Sequence, residues 1–549
     1  MSTLRTSLRD AVAAARDRAT EAGDLHLTDG GVPPPIGIEQ PARPEHGDYA
    51  TNAAMQLAPL ARANPMQIAE TLRTHLDPPP GIAEVTILRP GFINFRLDPD
   101  WVAGQVAAIR EAGPSYGRAA SPDPQKINVE FVSANPTGPL TVGNARGAFV
   151  GDLLCRVLEG AGQQVTREYY FNDFNAQVRN LGLSVLAVRD GDEIPADGYH
   201  GDYVIELSHA VPSEVWTAAE TGDTGEVLGR WASERVRAGI EASLAKLGVR
   251  FDVWRSEGAL HAEGWVERAI ERLQASGHLY EEGGATWFQS TDFGDDKDRV
   301  VYRSNGQPTY FAADIGYVVE KLSRGFDQLI YIWGADHHGT VARNRNAAVA
   351  MGFDADAIHW LLTAWVRFVR DGTEISMSKR AGEFITLDEL LAEIGVDAAR
   401  WFFGSRAASS GIDFDIELAK KQSSENPVYY VQYAHARCCS ILRHAASSGL
   451  HVGLTDGDAL LQHPAEQALI RRLLALPDVV ADAAARRETH ELPRYLLEVA
   501  SLYSQFYRDC RVLTDDVALS SARLALVDAT RLVLANTLGL MGISAPESM

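Results

Sequence analysis

The chain has only four cysteines in 549 residues, Cys155, Cys438, Cys439 and Cys510, and no two of them form a C-x-x-C pair. That excludes a disulfide framework and a thiolate zinc site, and it fits free thiols in a reducing compartment. No run approaches the roughly 18 consecutive apolar residues of a membrane span. The first residues, "MSTLRTSLRDAVAAARDRATEAG", put Leu4, Leu8 and Val12 on one helical stripe. Asp10, Asp17 and Glu21 interrupt them, and no apolar signal segment follows. These absences predict a cytoplasmic protein. Basic charge is also scarce. Lys and Arg number 51 against 73 Asp and Glu, a formal net charge of −22. A generic polyanion binder is excluded, although a local basic face is not.

What is present is a large globular composition, 46% hydrophobic and 23% charged. At this length three or four domains are expected. Residues 1–112 read as a small α+β unit: two helical patterns, then "EVTILRPGFINFRL", two alternating strands around Pro90-Gly91. The polar, turn-rich stretch 113–125 reads as a linker. Residues 126–405 begin as strand, loop, helix and strand, which predicts a doubly wound parallel sheet. Within them, about 180–290 reads as a mostly helical insertion. Residues 406–549 carry apolar residues at three- and four-residue spacing, the pattern of an all-α bundle.

The first strand and helix hold a contradiction. In "VEFVSANPTGPLTVGNARGAFVGD", Glu130 interrupts an apolar strand. A buried carboxylate needs a cation. That cation is either an internal Lys or Arg, or a ligand. The helix that follows opens at Thr141, Gly143 and Asn144. Helix starts offer unpaired N–H groups to phosphate, and a glycine lets a flat ring or phosphate approach. "GADHHG" ends another predicted strand, where open α/β sheets place ligands. Asp336, His337 and His338 are candidates there for a ribose contact or a cap, with a metal as the lesser alternative. Tyr310 and Asp314 are four apart, on one helix face. A phenol and a carboxylate so placed suit a flat cationic group. "SMSKRAG" sets Lys379 and Arg380 in a Gly-bounded basic loop suited to a triphosphate.

Taken in order, these segments resemble the class I aminoacyl-tRNA synthetases, and within them the arginyl-tRNA synthetase family. "VEFVSANPTGPL", "YYFNDFNAQVRNLGLSV", "YFAADIGY", "GADHHG", "MSKRAG", "NPVYYVQYAHAR" and the terminal "GISAPESM" carry the resemblance. "HGDYATNAAMQLA" and "RPGFINFRL" extend it into the first domain. The resemblance implies a Rossmann-type catalytic domain, an N-terminal domain that meets the tRNA elbow, and a helical anticodon-binding domain. It implies ATP and L-arginine as substrates, Mg2+ accompanying ATP, tRNA-Arg as partner, no structural metal, and a monomer. Members generally need tRNA bound before they activate the amino acid. By matching positions, Thr141, Asn144 and Lys379 would act in catalysis. Gly143, Gly334, Asp336, His338, Met377, Ser378 and Lys379 would bind ATP. Glu130, Ser133, Asn135, Tyr310 and Asp314 would bind arginine.

Two departures stand out. The family's His-x-Gly-His is Thr141-Val142-Gly143-Asn144 here, a version typical of the tryptophanyl branch, and the usual C-terminal Arg is Ser548. A synthetase-like binding protein without turnover is therefore the alternative to an arginine–tRNA ligase. Arg437, Arg443, Arg471 and Arg472 are the expected tRNA-facing cations.

Overall fold

The computed structural model describes residues 3–28, 32–41, 43–173, 175–370, 372–375, 386–450 and 458–549. Its central sheet has five parallel strands: β1 (Lys126–Glu130), β2 (Gln164–Phe171), β3 (Val253–Ser256), β4 (Gln328–Gly334) and β5 (Ile358–Thr363). Their spatial order is β5-β4-β1-β2-β3. The chain leaves β1 toward β2 and β3, then returns to build β4 and β5 on its other side. The switch point is the β1–β4 boundary, where Glu130 pairs in register with Tyr331. Ligands in such sheets bind beyond the strand ends at that point.

Central strands are covered on both faces and so are continuously apolar. Ile127, Val129, Leu329 and Ile330 are buried accordingly. The helix α1 (Val142–Gly160) crosses the sheet at close range because its contacting residues are small. A Cβ on Gly151 would lie 2.3 Å from the Phe131 ring. Overpacking of this kind costs about 1–3 kcal/mol. Gly151→Ala should therefore lower the urea midpoint with an unchanged slope, because only the native packing is altered.

β3 lies inside the stretch 180–290 read from sequence as one insertion. That stretch is instead two excursions with a sheet strand between them. The strand escapes pattern reading because all four of its residues are only half-buried, as an edge strand's are. After it, a small antiparallel sheet (Leu279–Glu282, Ala285–Phe288, Arg299–Tyr302) precedes the helix α2 (Tyr310–Ser323). The helix α3 (His338–Ala350) follows β4.

The N-terminal unit is a three-stranded antiparallel sheet with Phe92–Leu97 at its centre, packed with helices Leu4–Glu21, Ala53–Ala61 and Pro65–Thr74. The C-terminal region is helical as expected. The apolar-periodic stretch "AEQALIRRLLALPDVVADAAARR" is two helices, Pro464–Leu474 and Leu476–Arg486. Pro477 sits in the first turn of the second helix, where its missing N–H costs nothing, and it cannot continue the first. The two end regions meet through Arg5–Asp482 (2.6 Å), Arg110–Asp528 (3.0 Å) and Arg471–Asp48 (2.8 Å).

Candidate active site

The strand β1 ends on Glu130, and the next residues turn sharply. Val132 and Ser133 have φ of +68° and +42°, a left-handed conformation rare for non-glycine residues. The Tyr169 hydroxyl clamps the turn by bonding both the N–H (3.1 Å) and the carbonyl (2.9 Å) of Ala134. Ser133 donates to Glu130 Oε1 at 3.1 Å and accepts from the Tyr170 N–H at 3.2 Å. Asn135 is exposed, and its Nδ2 donates to Gln177 at 2.8 Å.

Glu130 already has a cation. Lys321 Nζ lies 2.6 Å from Glu130 Oε2, with both side chains buried. This corrects the expectation that arginine is the counter-ion of Glu130; of the two possibilities open in the sequence, the internal ion pair is the one formed. Lys321 falls seven residues after Asp314, two helical turns along the same face. The packing of α2 across the sheet brings it over Glu130. Its ammonium also faces the rings of Tyr317 and Tyr331, 4.3 and 4.1 Å from their centroids. Beside it, Glu168 is fully buried and bonded by Tyr317, Asn128 (2.6 Å) and Arg324 (2.8 Å). Burial works against its charge, but Lys321 and Arg324 overcome this and hold its carboxyl below the usual range.

Asp314 differs. It is half-buried and has no ion-pair partner among the described residues. Burial pushes its carboxyl up to about 7. Glu257 and Glu130 add to the rise, while Arg343 and a hydrogen bond from Asn344 oppose it. Glu257, buried at the start of the helix after β3, is also raised, first by burial. It accepts from the Tyr170 hydroxyl at 2.8 Å. Two neighbouring acids, each displaced upward and neither ion-paired among the described residues, mark a place where the nearby Arg343 does not offset burial. Sequence reading missed Glu257 because its strand was taken as insertion. It borders a cleft of about 790 Å³ that Tyr310, 63% exposed, also lines.

At the adjoining helix start, Asn144 Oδ1 accepts from the Thr141 N–H (3.2 Å) and hydroxyl (3.1 Å). Gly143 is exposed, and a Cβ there would meet only Thr141 Oγ1, at 3.5 Å. Thr386 bridges to Thr141, and the Leu387 N–H bonds the Leu140 carbonyl at 3.0 Å. The chain after the basic segment thus returns to the start of α1. Met377, Ser378, Lys379 and Arg380 themselves lie outside the described residues. One further residue went unread. The Arg146 guanidinium is buried among the carbonyls of Ala364 (2.7 Å), Ala407 (2.8 Å) and Ser410 (2.6 Å), and burial lowers it to about 10. It ties α1 to the chain on either side of the basic segment.

Gly334 ends β4, and Asp336, His337 and His338 stand exposed just beyond it. No group of three or more His, Cys, Asp or Glu among the described residues is placed to hold a metal. The sheet therefore brings Glu130, Ser133, Tyr310 and Asp314 to one side of the switch point. The helix start and the end of β4 flank them.

The comparisons with known proteins agree with the fold. Residues 2–97 match the arginyl tRNA synthetase N terminal domain. Residues 105–193 and 224–402 match the class I (R) tRNA synthetase catalytic domain. Residues 431–549 match the DALR anticodon binding domain. The arginine–tRNA ligase of Heliobacterium modesticaldum is 45% identical over 563 residues, covering 100% of this chain and 99% of that protein. The chain belongs to the arginyl-tRNA synthetase family. The arginine–tRNA ligase of Frankia alni is 47% identical over 558 residues, covering 99% of each. The arginyl-tRNA synthetase structure from Thermus thermophilus superposes with a TM-score of 0.81 at 25% identity, covering 100% of both chains. A Campylobacter jejuni structure titled as a putative arginyl tRNA synthetase gives 0.76 at 32% identity, covering 82% of this chain and 100% of that one.

In the family's helical domain, the four arginines expected to face tRNA divide. Arg471 is held by Asp48 and Arg472 by Glu498 (2.9 Å). Arg443 donates to the Glu547 carbonyl at 3.1 Å. Arg437 has no carboxylate partner among the described residues. It lies 4.7 and 4.9 Å from the ring centroids of Tyr433 and Tyr507, which are both exposed.

Proposed function

We propose that this chain is an arginine–tRNA ligase. In the first step the carboxylate of L-arginine attacks the α-phosphorus of ATP, giving arginyl-adenylate and releasing pyrophosphate. In the second, a ribose hydroxyl of the 3′-terminal adenosine of tRNA-Arg attacks the arginyl carbonyl and AMP leaves. The observation that carries the reading is the Asp314–Glu257 pair, two raised carboxyls with no ion-pair partner among the described residues, at the switch point of a chain whose relative covers all of it. The guanidinium of arginine supplies the missing charge with a planar set of donors. Asp314 takes the guanidinium, with Tyr310 at its edge. Ser133 and Asn135, on the strained turn, receive the α-amino end. A neutral analogue leaves the acids unpaired and is rejected by binding alone, so no editing site is needed.

Gly143 leaves room above the start of α1 for the nucleotide. The helix N–H groups and the Asn144 amide donate to the α-phosphate as its charge grows in flight. Gly334, Asp336 and His338 receive the adenosine. Met377, Ser378 and Lys379 close on the phosphates. Magnesium would come with the triphosphate and help neutralise its charge. We assign residues 1–112 to the tRNA elbow, 113–125 to a linker, 126–405 to catalysis and 406–549 to the anticodon, and take the enzyme to act as a cytoplasmic monomer. No helix among the described residues is long and apolar enough to cross a membrane.

The deciding experiment is charging of tRNA-Arg with labelled arginine, with and without ATP. No ATP-dependent product would overturn the reading. The Tyr433–Arg437–Tyr507 cluster offers a half-buried cation beside two exposed rings, suited to an unstacked base. Arg437→Ala should raise the KM for tRNA about tenfold, since losing one such contact costs about 1–3 kcal/mol. The KM for arginine should stay put, which initial rates with varied tRNA and arginine will check.

A further inference from the structure

We propose that Lys321 is a positioning residue for arginine, acting through Glu130 on the turn that receives the amino acid. This rests on the ligase reading above and assigns a role to a side chain that reading does not use. The linkage is continuous. Lys321 Nζ holds Glu130 Oε2 at 2.6 Å; Glu130 Oε1 accepts from the Ser133 hydroxyl at 3.1 Å; Ser133 Oγ accepts from the Tyr170 N–H at 3.2 Å. Tyr170 then donates through its hydroxyl to Glu257 at 2.8 Å. One buried ammonium is thereby joined to the wall that bears Ser133 and to one of the two unpaired acids.

The backbone shows why the turn needs such support. Val132 and Ser133 both occupy left-handed conformations, and for a β-branched residue that is a true outlier. Strain of this kind persists only where the surroundings over-determine it. Both hydrogen bonds of the Ser133 hydroxyl bear on the strained pair, and one of them depends on Glu130 staying where Lys321 holds it. The rings of Tyr317 and Tyr331 leave the ammonium little freedom to turn elsewhere. The competing account is that Lys321 only neutralises a buried acid. Removing one partner of such a pair destabilises a protein, whereas replacing both is often neutral. That account predicts loss of fold and no selective effect on arginine.

The test measures steady-state charging of tRNA-Arg by the full chain, comparing wild type with Lys321→Met, Lys321→Arg and the double variant Lys321→Met/Glu130→Gln. In Lys321→Met, the KM for arginine should rise about 10- to 30-fold, with the ATP KM within about twofold and kcat within about threefold, the signature of lost substrate positioning. Lys321→Arg, which keeps the charge, should recover most of that loss. If Lys321→Met does not fold, the double variant, which buries no unpaired charge, decides. A raised arginine KM in it supports the proposal, and a wild-type KM overturns it. Arginine and ATP KM values rising together in a folded variant would also overturn it. A wild-type chain that charges no tRNA-Arg would be a different failure, that of the ligase reading itself.

Discussion

Asp314→Asn should raise the KM for arginine by about 10²- to 10³-fold, the penalty for truncating one side of a desolvated, charge-assisted contact, about 2–5 kcal/mol. The fold should survive, because amide and carboxylate have the same shape and Asp314 makes no direct ion pair among the described residues, although it loses the attraction of Arg343. The stronger part of the prediction is pH. Burial raises the Asp314 carboxyl to about 7, with Glu257 and Glu130 adding to it. Below that pH the empty pocket holds a proton there, and a guanidinium binds well only after the proton leaves. The arginine KM of the wild type should fall about tenfold per pH unit up to about 7 and then level, as a single linked proton requires. The sign for folding is opposite. A carboxyl raised above its unfolded value favours the native state at low pH. That contribution is lost as pH rises through about 7. Free enzyme should therefore lose stability between pH 4 and 7, and arginine should restore it, giving a larger arginine-induced Tm shift at pH 8 than at pH 6. Asp314→Asn is the control, because a profile owed to any other group would survive it. A wild-type KM that is flat from pH 6 to 8 would remove Asp314 from the pocket.

The parts of this site that could be read from sequence are those whose signal is local. Glu130 stood out because an acid breaks an apolar strand. The start of α1 stood out because Thr141, Gly143 and Asn144 form a recognisable opening. Tyr310 and Asp314 stood out because a four-residue spacing fixes their common face. What could not be read depends on which distant segments meet. Lys321 has an ordinary place near the end of a helix, and only the passage of α2 over the β1–β4 boundary delivers it to Glu130. Glu257 follows a four-residue edge strand whose half-buried residues leave no apolar run. Arg146 resembles a surface arginine until the carbonyls of Ala364, Ala407 and Ser410 close around it. The same limit explains the tRNA-facing cations. Arg437 and Arg471 look alike in sequence, but folding pairs one with Asp48 and leaves the other between two exposed tyrosines.

Asn144→Ala should lower adenylate formation about 10²- to 10³-fold with little change in arginine affinity, as loss of one oxyanion donor does. ATP–pyrophosphate exchange in the presence of tRNA-Arg measures it. The structure complicates this variant. Asn144 Oδ1 accepts from both the N–H and the hydroxyl of Thr141, so the alanine also removes a helix cap. A lost cap costs about 0.5–2 kcal/mol of stability. With Oδ1 occupied, the amide NH2 is the group left to donate to a phosphate, and Asn144→Asp separates the two roles. The carboxylate keeps the acceptor for Thr141, and its charge suits a helix N-terminus. It offers no donor, however, and it repels the phosphate. Stability should therefore hold in Asn144→Asp while exchange falls at least as far as in the alanine variant. This also bears on the missing histidines of the signature. Charge growing on an oxygen needs a donor already aimed at it, and an amide donates without titrating. The exchange rate should then lack any imidazole-like pH step that depends on this position. Exchange within about threefold of wild type in Asn144→Asp would transfer the task to the backbone N–H groups of the first turn of α1, whose positive end needs no side chain to meet a phosphate.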